Sequence, residues 1–541
     1  MMNKVILIAV VFSISACSVF DRSSKSPSSI FDFSQNITEE SLHADLSVIA
    51  HDSLEGRDTG SEGLKKAALF LADKYESHGL QAVGDDGSYF QYFDLIQPTV
   101  DKIEYTVTSG DSVLDTSTHS NDRTANFITL FGGTDHLEGE IVFAGKGLFN
   151  EAEGINQFPD DVAGKWLMVF FDRGNTNMGH LQMSMSSGNA LGVIMLTDTD
   201  VQDFNDEAEN RKSAFGNSGR MSLAYQQEEN GSETSSAFNR IHPELAATLL
   251  GVENIEALQE IETRIDSDPT AFKAKTLDYV LEHNPTVTEN VITTKNVVAF
   301  LEGSDPELKN EVVVLSSHYD HVGIGRADST GDALYNGADD DGSGTVATLQ
   351  TALAMAAAKN AGVGPDRSVL FLHVSGEEKG LLGSRYYSDH PIYPIENTVA
   401  NINIDMIGRV DEQHEQDSSY VYIIGGEIIS SGLDSLTQVA NNMGTDLNLS
   451  KRYNDLEDPN QFYRRSDHWN FGRLGVPFVF FFSGVHADYH RPSDEVDKIT
   501  FEPYLKRTHL VYNLTALIAN SDERPVVDNQ EFIEKTQSQA R

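Results

Sequence analysis

Acidic and imidazole side chains able to hold a metal ion recur in this chain just beyond short apolar runs. His318 and Asp320 follow Val312 to Leu315, Glu377 and Glu378 follow Val369 to Val374, Asp405 follows Val399 to Ile404, and His490 lies beyond Pro477 to Phe482. Asp339, Asp340 and Asp341 come immediately before the helical stretch Thr345 to Lys359, and Gly342 and Gly344 let that acidic loop turn tightly into it. Two imidazoles with several carboxylates give the mixed nitrogen and oxygen donor set that zinc accepts. Cys17 is the only cysteine, which excludes a thiolate cluster. The candidate ligands outnumber what one tetrahedral ion with an open water position needs, so two ions sharing a carboxylate is the economical expectation. Carboxylates between and around two divalent ions also offset their mutual repulsion. Any of Asp339, Asp340 and Asp341 is a candidate for the shared position.

The elements that must position these groups are strands alternating with helices. The runs named above, with Tyr420 to Ile424, predict an α/β fold with a mostly parallel central sheet flanked by helices. Near-continuous apolar runs such as Phe478 to Phe482 suit strands buried on both faces. Chelating residues at the carboxyl ends of such strands lie where an open α/β sheet forms its crevice. Thr500 as a cap, Pro503, and the stripe Leu510, Leu514 and Leu517 predict a closing helix. From Glu39 to Gly79 the pattern is helical, with Leu64, Ala68, Leu71 and Tyr75 on one face. Between about Thr99 and Asn290 the texture changes to short β-type runs, including Ile141 to Phe143, Trp166 to Phe171 and Gly192 to Leu196, which reads as an inserted β-rich domain. The polar residues 200–240 read as a long surface excursion of that insert.

Five stretches in order carry a close family resemblance: His318-Tyr319-Asp320, Gly337 to Gly344, Ser375-Gly376-Glu377-Glu378, Asn403 to Gly408, and Tyr489-His490. The sequence resembles the di-zinc aminopeptidase family that also contains the glutamate carboxypeptidases, over roughly residues 40–95 and 291–520. The resemblance implies two zinc ions per chain. Asp340 would bridge them, His318 and Asp405 would complete one, and Glu378 and His490 the other. It makes Glu377 the general base, which would take a proton from the attacking water held between the zincs and return it to the leaving amine. Asp320 is suited to accept the other N–H of His318 as a supporting carboxylate. Tyr463, three residues before Ser466-Asp467-His468, matches a position where relatives place a tyrosine that donates to the developing oxyanion. His321, His373, His468 and His486 are expected to be packed or surface residues. Residues 139–147 and 162–165 resemble a protease-associated domain.

Bulk properties narrow the function further. With 83 acidic and 39 basic residues the formal charge is −44, a field that repels nucleic acid. Lys4, the apolar run Val5 to Phe12, and Ile14-Ser15-Ala16-Cys17 resemble the signal and lipobox of bacterial lipoproteins, so Cys17 is the expected site of a lipid anchor. The run is too short for a mature spanning helix, and the resemblance to such lipoprotein signals, with Ser18 after the cysteine, implies the outer membrane, facing periplasm or exterior. The expected organisation is a signal peptide (1–17), a flexible tether (18–38), the first part of the peptidase domain (39–98), the protease-associated-like insert (99–290), the di-zinc catalytic domain (291–522) and a tail (523–541). A length of 541 residues suits two or three packed units.

The leading expectation is an aminopeptidase acting on peptide substrates, with no protein partner implied. A glutamate-type carboxypeptidase would need cations for a substrate carboxylate, and Arg464 and Arg465 are available. A glutaminyl cyclase on the same fold would use a single zinc. A receptor-like binding protein, as in the transferrin receptor ectodomain, would be expected to have lost its ligands.

Overall fold

A strand that opens with four consecutive apolar residues must be covered on both faces, and Val312–His318 shows how that is arranged. Val313 and Leu315 face a cluster built with the helices Glu62–Ser77, Gly344–Asn360 and Phe501–Ala519. Val312 and Val314 point the other way, toward Tyr387 of the helix Leu382–Asp389 and toward Phe471. The structure is a computed structural model that describes residues 29–172, 174–197, 200–212, 219–226 and 236–536. Cys17 and the signal-like stretch lie outside those residues.

Around Val312–His318 the sheet runs in the order Asn448–Ser450, Tyr420–Gly425, Phe478–Phe482, Thr398–Ile404, Val312–His318, Ser368–Val374 and Lys275–Leu301. The four strands from Phe478–Phe482 to Ser368–Val374 are mutually parallel, whereas Tyr420–Gly425 and Lys275–Leu301 are antiparallel to their neighbours in that group. The chain thus has the α/β fold with a mostly parallel sheet between helices. Parallel strands bring their carboxyl ends to one edge, and that edge carries the site.

Lys275–Leu301 is 27 residues long and belongs to both halves of the molecule. Its last residues pair with Ser368–Val374, and its first with Leu137–Phe143, beyond which the sheet continues through Lys165–Phe170, Gly192–Leu196, Ala237–Ile241 and Phe127–Phe131. Phe90–Ser109 runs antiparallel beside it. Thr99 pairs with Thr288 and Gln97 with Asn290, so the chain passes into and out of the β-rich part along two hydrogen-bonded strands. A second core of Tyr105, Phe127, Ile141, Trp166, Ile194 and Leu281 fills that part.

Several local expectations are corrected. The pattern from Glu39 to Gly79 gives two helices, Glu39–Ile49 and Glu62–Ser77, separated by a turn in which Glu55, Gly56 and Arg57 have positive φ. Residues 30–36, expected within the tether, form a 3-10 helix with Ile30 buried, tied to the closing helix by Tyr512 Oη donating to the Ile30 carbonyl at 2.8 Å. The stretch 200–240 contains a helix, Val201–Arg211, held by ion pairs from Arg240 to Asp203 and Glu207. In the tail, Gln530–Thr536 is helical and buries Phe532. Thr500 precedes the closing helix without a side-chain cap, its N–H donating to the Gly408 carbonyl at 2.9 Å. Among the described residues no helix is long and apolar enough to cross a membrane.

Candidate metal centre

The strand ends deliver the donors in turn. His318 is the last residue of its strand, and its carbonyl accepts from Thr345 Oγ1 at 2.6 Å, which fixes the strand end to the first turn of the helix Gly344–Asn360. Glu377 follows Ser368–Val374 after a turn at Gly376 (φ 79°), and Asp405 directly follows Thr398–Ile404.

The acidic loop 339–341 divides its labour. Asp339 Oδ1 accepts from the Gly408 N–H at 2.6 Å and from Ser343 Oγ at 2.9 Å. Asp341 accepts from the N–H groups of Gly344 (2.8 Å), Met406 (3.1 Å) and His318 (3.2 Å). Both flanking carboxylates are therefore committed to tying loops together, and of the three only Asp340 is turned to His318 and His490. Its backbone N–H and that of Asp339 donate to Asp494 Oδ2 at 3.1 and 3.0 Å. This settles which aspartate of the three faces the cluster, a choice the sequence left open.

Around Asp340 the donors converge. His318 Nε2 lies 3.3 Å from Asp340 Oδ1 and 3.5 Å from Asp405 Oδ1. His490 Nε2 lies 3.1 Å from Asp340 Oδ2 and 3.2 Å from Glu378 Oε2. Two metal-competent groupings result, His318 with Glu377 and Asp405, and His321 with Asp340 and Glu378, the donor atoms of each within 4.8 Å of one another. Among the described residues no lysine or arginine pairs with Asp340, Glu377, Glu378 or Asp405, and His321 Nε2 is buried without a hydrogen-bond partner. Concentrated buried carboxylate with unspent lone pairs fits divalent cations, which such a site needs to offset desolvation and repulsion.

Electrostatics separates the two adjacent glutamates. Burial, reinforced by Asp467, Asp405 and Glu378, pushes the Glu377 carboxyl well above the ordinary range despite His318. Burial and Asp340 also oppose ionisation of Glu378, but hydrogen bonds from His321 and His490 prevail and hold it at about 2. Burial works against protonated His318, yet Glu377, Asp405 and Asp340 outweigh it and raise its pKa well above normal. For His490 burial is overcome by Asp340 and Glu378, which raise it to about 10.

Asp320 supports the site differently from expectation. His318 Nδ1 is 3.1 Å from the Asp320 carbonyl oxygen and 3.9 Å from its carboxylate, so the backbone is the nearer acceptor. The carboxylate instead accepts from Thr59 Oγ1 at 2.9 Å and from the Glu377 N–H at 3.2 Å, bracing the residue expected to move the proton.

A cleft of about 430 Å³, partly open to solvent, is lined by Asp340, Glu377, Asp405 and His490 together with Met406, Phe462, Phe480, Phe482 and Val485. Tyr463 is not on its wall. It is buried in an apolar cluster, edge-on to Trp469, and the phenol that does line the cleft is that of Tyr489, stacked on His490 at 3.9 Å. The reason is local: Phe462–Arg464 is a 3-10 turn, whose residues three apart share a face, so Phe462 and Arg465 look into the cleft and Tyr463 looks away.

Two contributors were not singled out from the sequence. His321 is fully buried, with Nδ1 2.8 Å from Glu378 Oε1. Arg57 is also fully buried and donates to four carbonyls, those of Tyr319 (2.9 Å), Ile49 (2.7 Å), Asn336 (2.7 Å) and Gly337 (3.0 Å). The position of His321, three residues after His318 in a His-x-x-His spacing, was a usable signal. The turn residues Gly56 and Gly60 around Arg57 were a weaker one. His373 and His468 are buried in cores, hydrogen-bonded to Tyr75 and to the Phe462 carbonyl respectively, and His486 packs against Asp339.

Comparison with known proteins agrees with this geometry. Residues 296–515 match the family described as Peptidase family M28. The chain is 30% identical over 259 residues to a probable leucine aminopeptidase 2 of Aspergillus oryzae, covering 42% of this chain and 45% of that protein. It is 29% identical over 214 residues to leupeptin-inactivating enzyme 1 of Streptomyces exfoliatus, covering 39% and 41%. The chain thus spans about half the length of the curated relatives it matches or less. In fold it is similar to an aminopeptidase from Aneurinibacillus sp. strain AM-1, with a TM-score of 0.51 and 17% identity over 92% of this chain and 98% of that one. The motifs, the convergence of donors and the match to Peptidase family M28 all fall on one stretch, residues 296–515.

Proposed function

We propose that this chain is a zinc-dependent aminopeptidase that holds two ions, one by His318, Asp405 and Asp340 and the other by Glu378, His490 and Asp340. The observation that carries the reading is the convergence of these five side chains, from separate parts of the chain, around Asp340, three of them (Asp340, Asp405 and His490) on the wall of a cleft that also has apolar residues in its lining. Zinc in such a site polarises a scissile carbonyl and makes water acidic enough to attack at neutral pH. Glu377, held by its N–H on Asp320, accepts the proton that the attacking water gives up and returns it to the leaving amine. In the metal-free site the surroundings already set the two glutamates apart, Glu377 raised by burial and Glu378 held low by His321 and His490, which suits a proton-moving carboxyl beside one that stays ionised. Met406, Phe462, Phe480 and Phe482 give the terminal side chain an apolar seat.

Residues 99–290 act in this reading as a protease-associated-like insert, supported by the stretches 139–147 and 162–165, and the chain is held outside the cytoplasm by a lipid on Cys17, supported by the lipobox-like sequence before it. One observation favours a second reading: Arg465 also lines the cleft, where a cation would receive a substrate carboxylate in a carboxypeptidase. The test is zinc-reconstituted protein assayed on one peptide in three forms, free, N-acetylated and C-amidated. Cleavage of the free and amidated forms alone supports the aminopeptidase. Cleavage of the acetylated peptide with loss of the amidated one supports the carboxypeptidase, and no cleavage of any form overturns both.

A further inference from the structure

Besides the first cleft there is a second and larger opening of about 1730 Å³, much of it solvent-filled, with Glu378 on its wall. Its walls include residues 58–61, the stretch from Glu378 to Gly380, and residues 219–221 of the β-rich part, with Gln97, Ile292 and Ile324 completing them. The division of space suits an exopeptidase. The small apolar cleft seats one side chain, and the larger opening takes the residues beyond the cleaved bond.

Arg220 is an exposed cation on that second wall, and its neighbours hold it there. Gly219 N–H donates to the Pro98 carbonyl at 2.5 Å, and Ser222 and Leu223 pair antiparallel with Ile96 and Leu95. Met221 and Leu223 are buried with Phe93, Leu95 and Leu382, and Tyr225 Oη donates to Asp389 Oδ2 at 2.5 Å. These contacts clamp the segment to the helix Leu382–Asp389, two residues beyond Gly380. A Cβ built on Gly380 would lie 2.9 Å from Arg220 Nη2, so the guanidinium lies against the backbone that carries Glu378. Two residues span at most about 7 Å of chain, which puts Arg220 within a short peptide's length of the metal-holding carboxylate. Lys379, the other cation there, is already paired with Asp58 at 2.7 Å. Among the described residues no carboxylate pairs with Arg220. In a chain of net charge −44, a cation on the wall of this opening with no carboxylate partner among the described residues stands out.

Resting on the aminopeptidase reading, we propose that Arg220 is a specificity-determining residue that receives a carboxylate on the leaving part of the substrate, the C-terminal carboxylate of a short peptide. A planar guanidinium binds a carboxylate through paired charge-assisted hydrogen bonds, which a neutral amide does not replace. The β-rich part thereby contributes one residue to substrate choice.

The test compares kcat/KM of the zinc-loaded full chain for Leu-Gly-Gly as free acid, the same tripeptide as its amide, and Leu-Gly-Glu-amide. The expected result is a preference of about tenfold or more for the free acid over the amide, about 1.4 kcal/mol or more, carried mainly by KM. In Arg220→Gln that ratio falls to near one, and Arg220→Lys restores part of it. A preference for Leu-Gly-Glu-amide equal to that for the free acid would overturn the terminal carboxylate as the group read. An equal loss on acid and amide in Arg220→Gln would overturn the specificity role and make the residue structural. Wild-type protein that cleaves the amide as well as the acid overturns this proposal alone, whereas wild type that cleaves none of the three overturns the aminopeptidase reading and this proposal with it.

Discussion

Arg57 donates from Nη2 to the carbonyl oxygen of Gly337 at 3.0 Å, binding the turn after the first helix to the loop that presents Asp340. The same guanidinium donates from Nε to the carbonyl of Tyr319, the residue between His318 and Asp320, at 2.9 Å. One buried side chain therefore fixes two ligand-bearing loops relative to each other. Burial lowers its pKa to about 10 even with four aspartates nearby, which leaves it charged at neutral pH.

Substitution of that residue is predicted to loosen the centre. Arg57→Met leaves four carbonyls without their donor, at a cost of about 3 kcal/mol or more in folding stability. Arg57→Lys recovers only part of this, because an ammonium lacks the planar fork. Denaturant unfolding of chelator-treated protein reads the first effect. A competition titration with a zinc chelator reads the second, an affinity loss of about tenfold or more; unchanged zinc affinity in Arg57→Met would remove the tethering role.

Glu377→Gln is predicted to keep metal and lose turnover. The amide preserves shape and the N–H to Asp320 but takes up no proton, so kcat falls by about 10²- to 10⁴-fold. Zinc content should match wild type by elemental analysis, since Asp340, Glu378, Asp405, His318 and His490 remain. Loss of zinc in this variant would instead make Glu377 a ligand, a role open to it because its oxygen groups with His318 and Asp405.

Metal loading should release protons at neutral pH. In chelator-stripped protein the surrounding carboxylates raise His318 well above its usual pKa and His490 to about 10, so both imidazoles carry a proton at pH 7. Ligation requires them neutral, so each gives up its proton on binding. Calorimetric zinc titrations in buffers of different ionisation enthalpy should report about two protons or more released per loaded chain, the two imidazoles and the raised Glu377 carboxyl being the sources, and affinity should fall as pH is lowered. An enthalpy independent of buffer would contradict this charge state.

Much of the fold and of this site was legible in the residues themselves, for a physical reason. A strand covered on both faces must be apolar throughout, so Val312 to Leu315 and Phe478 to Phe482 stand out, and a charged group just past such a strand is hard to explain except by chemistry. What escaped was direction. Nothing in the order of residues shows that Phe462–Arg464 turns Tyr463 inward, away from the cleft that Tyr489 reaches. Arg57 was hidden because an arginine among turn residues reads as solvated, and its burial depends on carbonyls near residues 319 and 336 that only the tertiary fold brings to it.

The β-rich part is predicted to lose stability in mild acid through His283. Its side chain is fully buried, with Nε2 3.0 Å from the Gly133 carbonyl, and burial depresses its pKa to about 4. Below about 6.5 the unfolded imidazole binds a proton that the folded one refuses until about 4, so stability is fully present above 6.5 and falls as pH drops through that window. The contribution is roughly 3 kcal/mol. Denaturant unfolding at pH 7 and pH 4.5 should show a steeper loss for wild type than for His283→Gln, and parallel losses would assign the acid sensitivity elsewhere.

His321 should matter to metal retention through Glu378. The imidazole is buried, its backbone N–H donates to the Arg57 carbonyl at 3.1 Å, and its Nδ1 meets Glu378 Oε1 at 2.8 Å. A carboxylate that is oriented by a fixed donor presents its other oxygen to the site, and here that oxygen is Oε2, the one facing His490. Removing the donor frees Glu378 to rotate, and losses of about 10- to 100-fold in metal affinity are typical when such support is removed. His321→Phe keeps the volume and removes the hydrogen bond. It is expected to weaken retention of one of two zincs, read as a biphasic release to a chelator in which only one phase is faster than in wild type. Acceleration of both phases together would mean that His321 acts on the loop as a whole, and no change in either would leave it a packed residue.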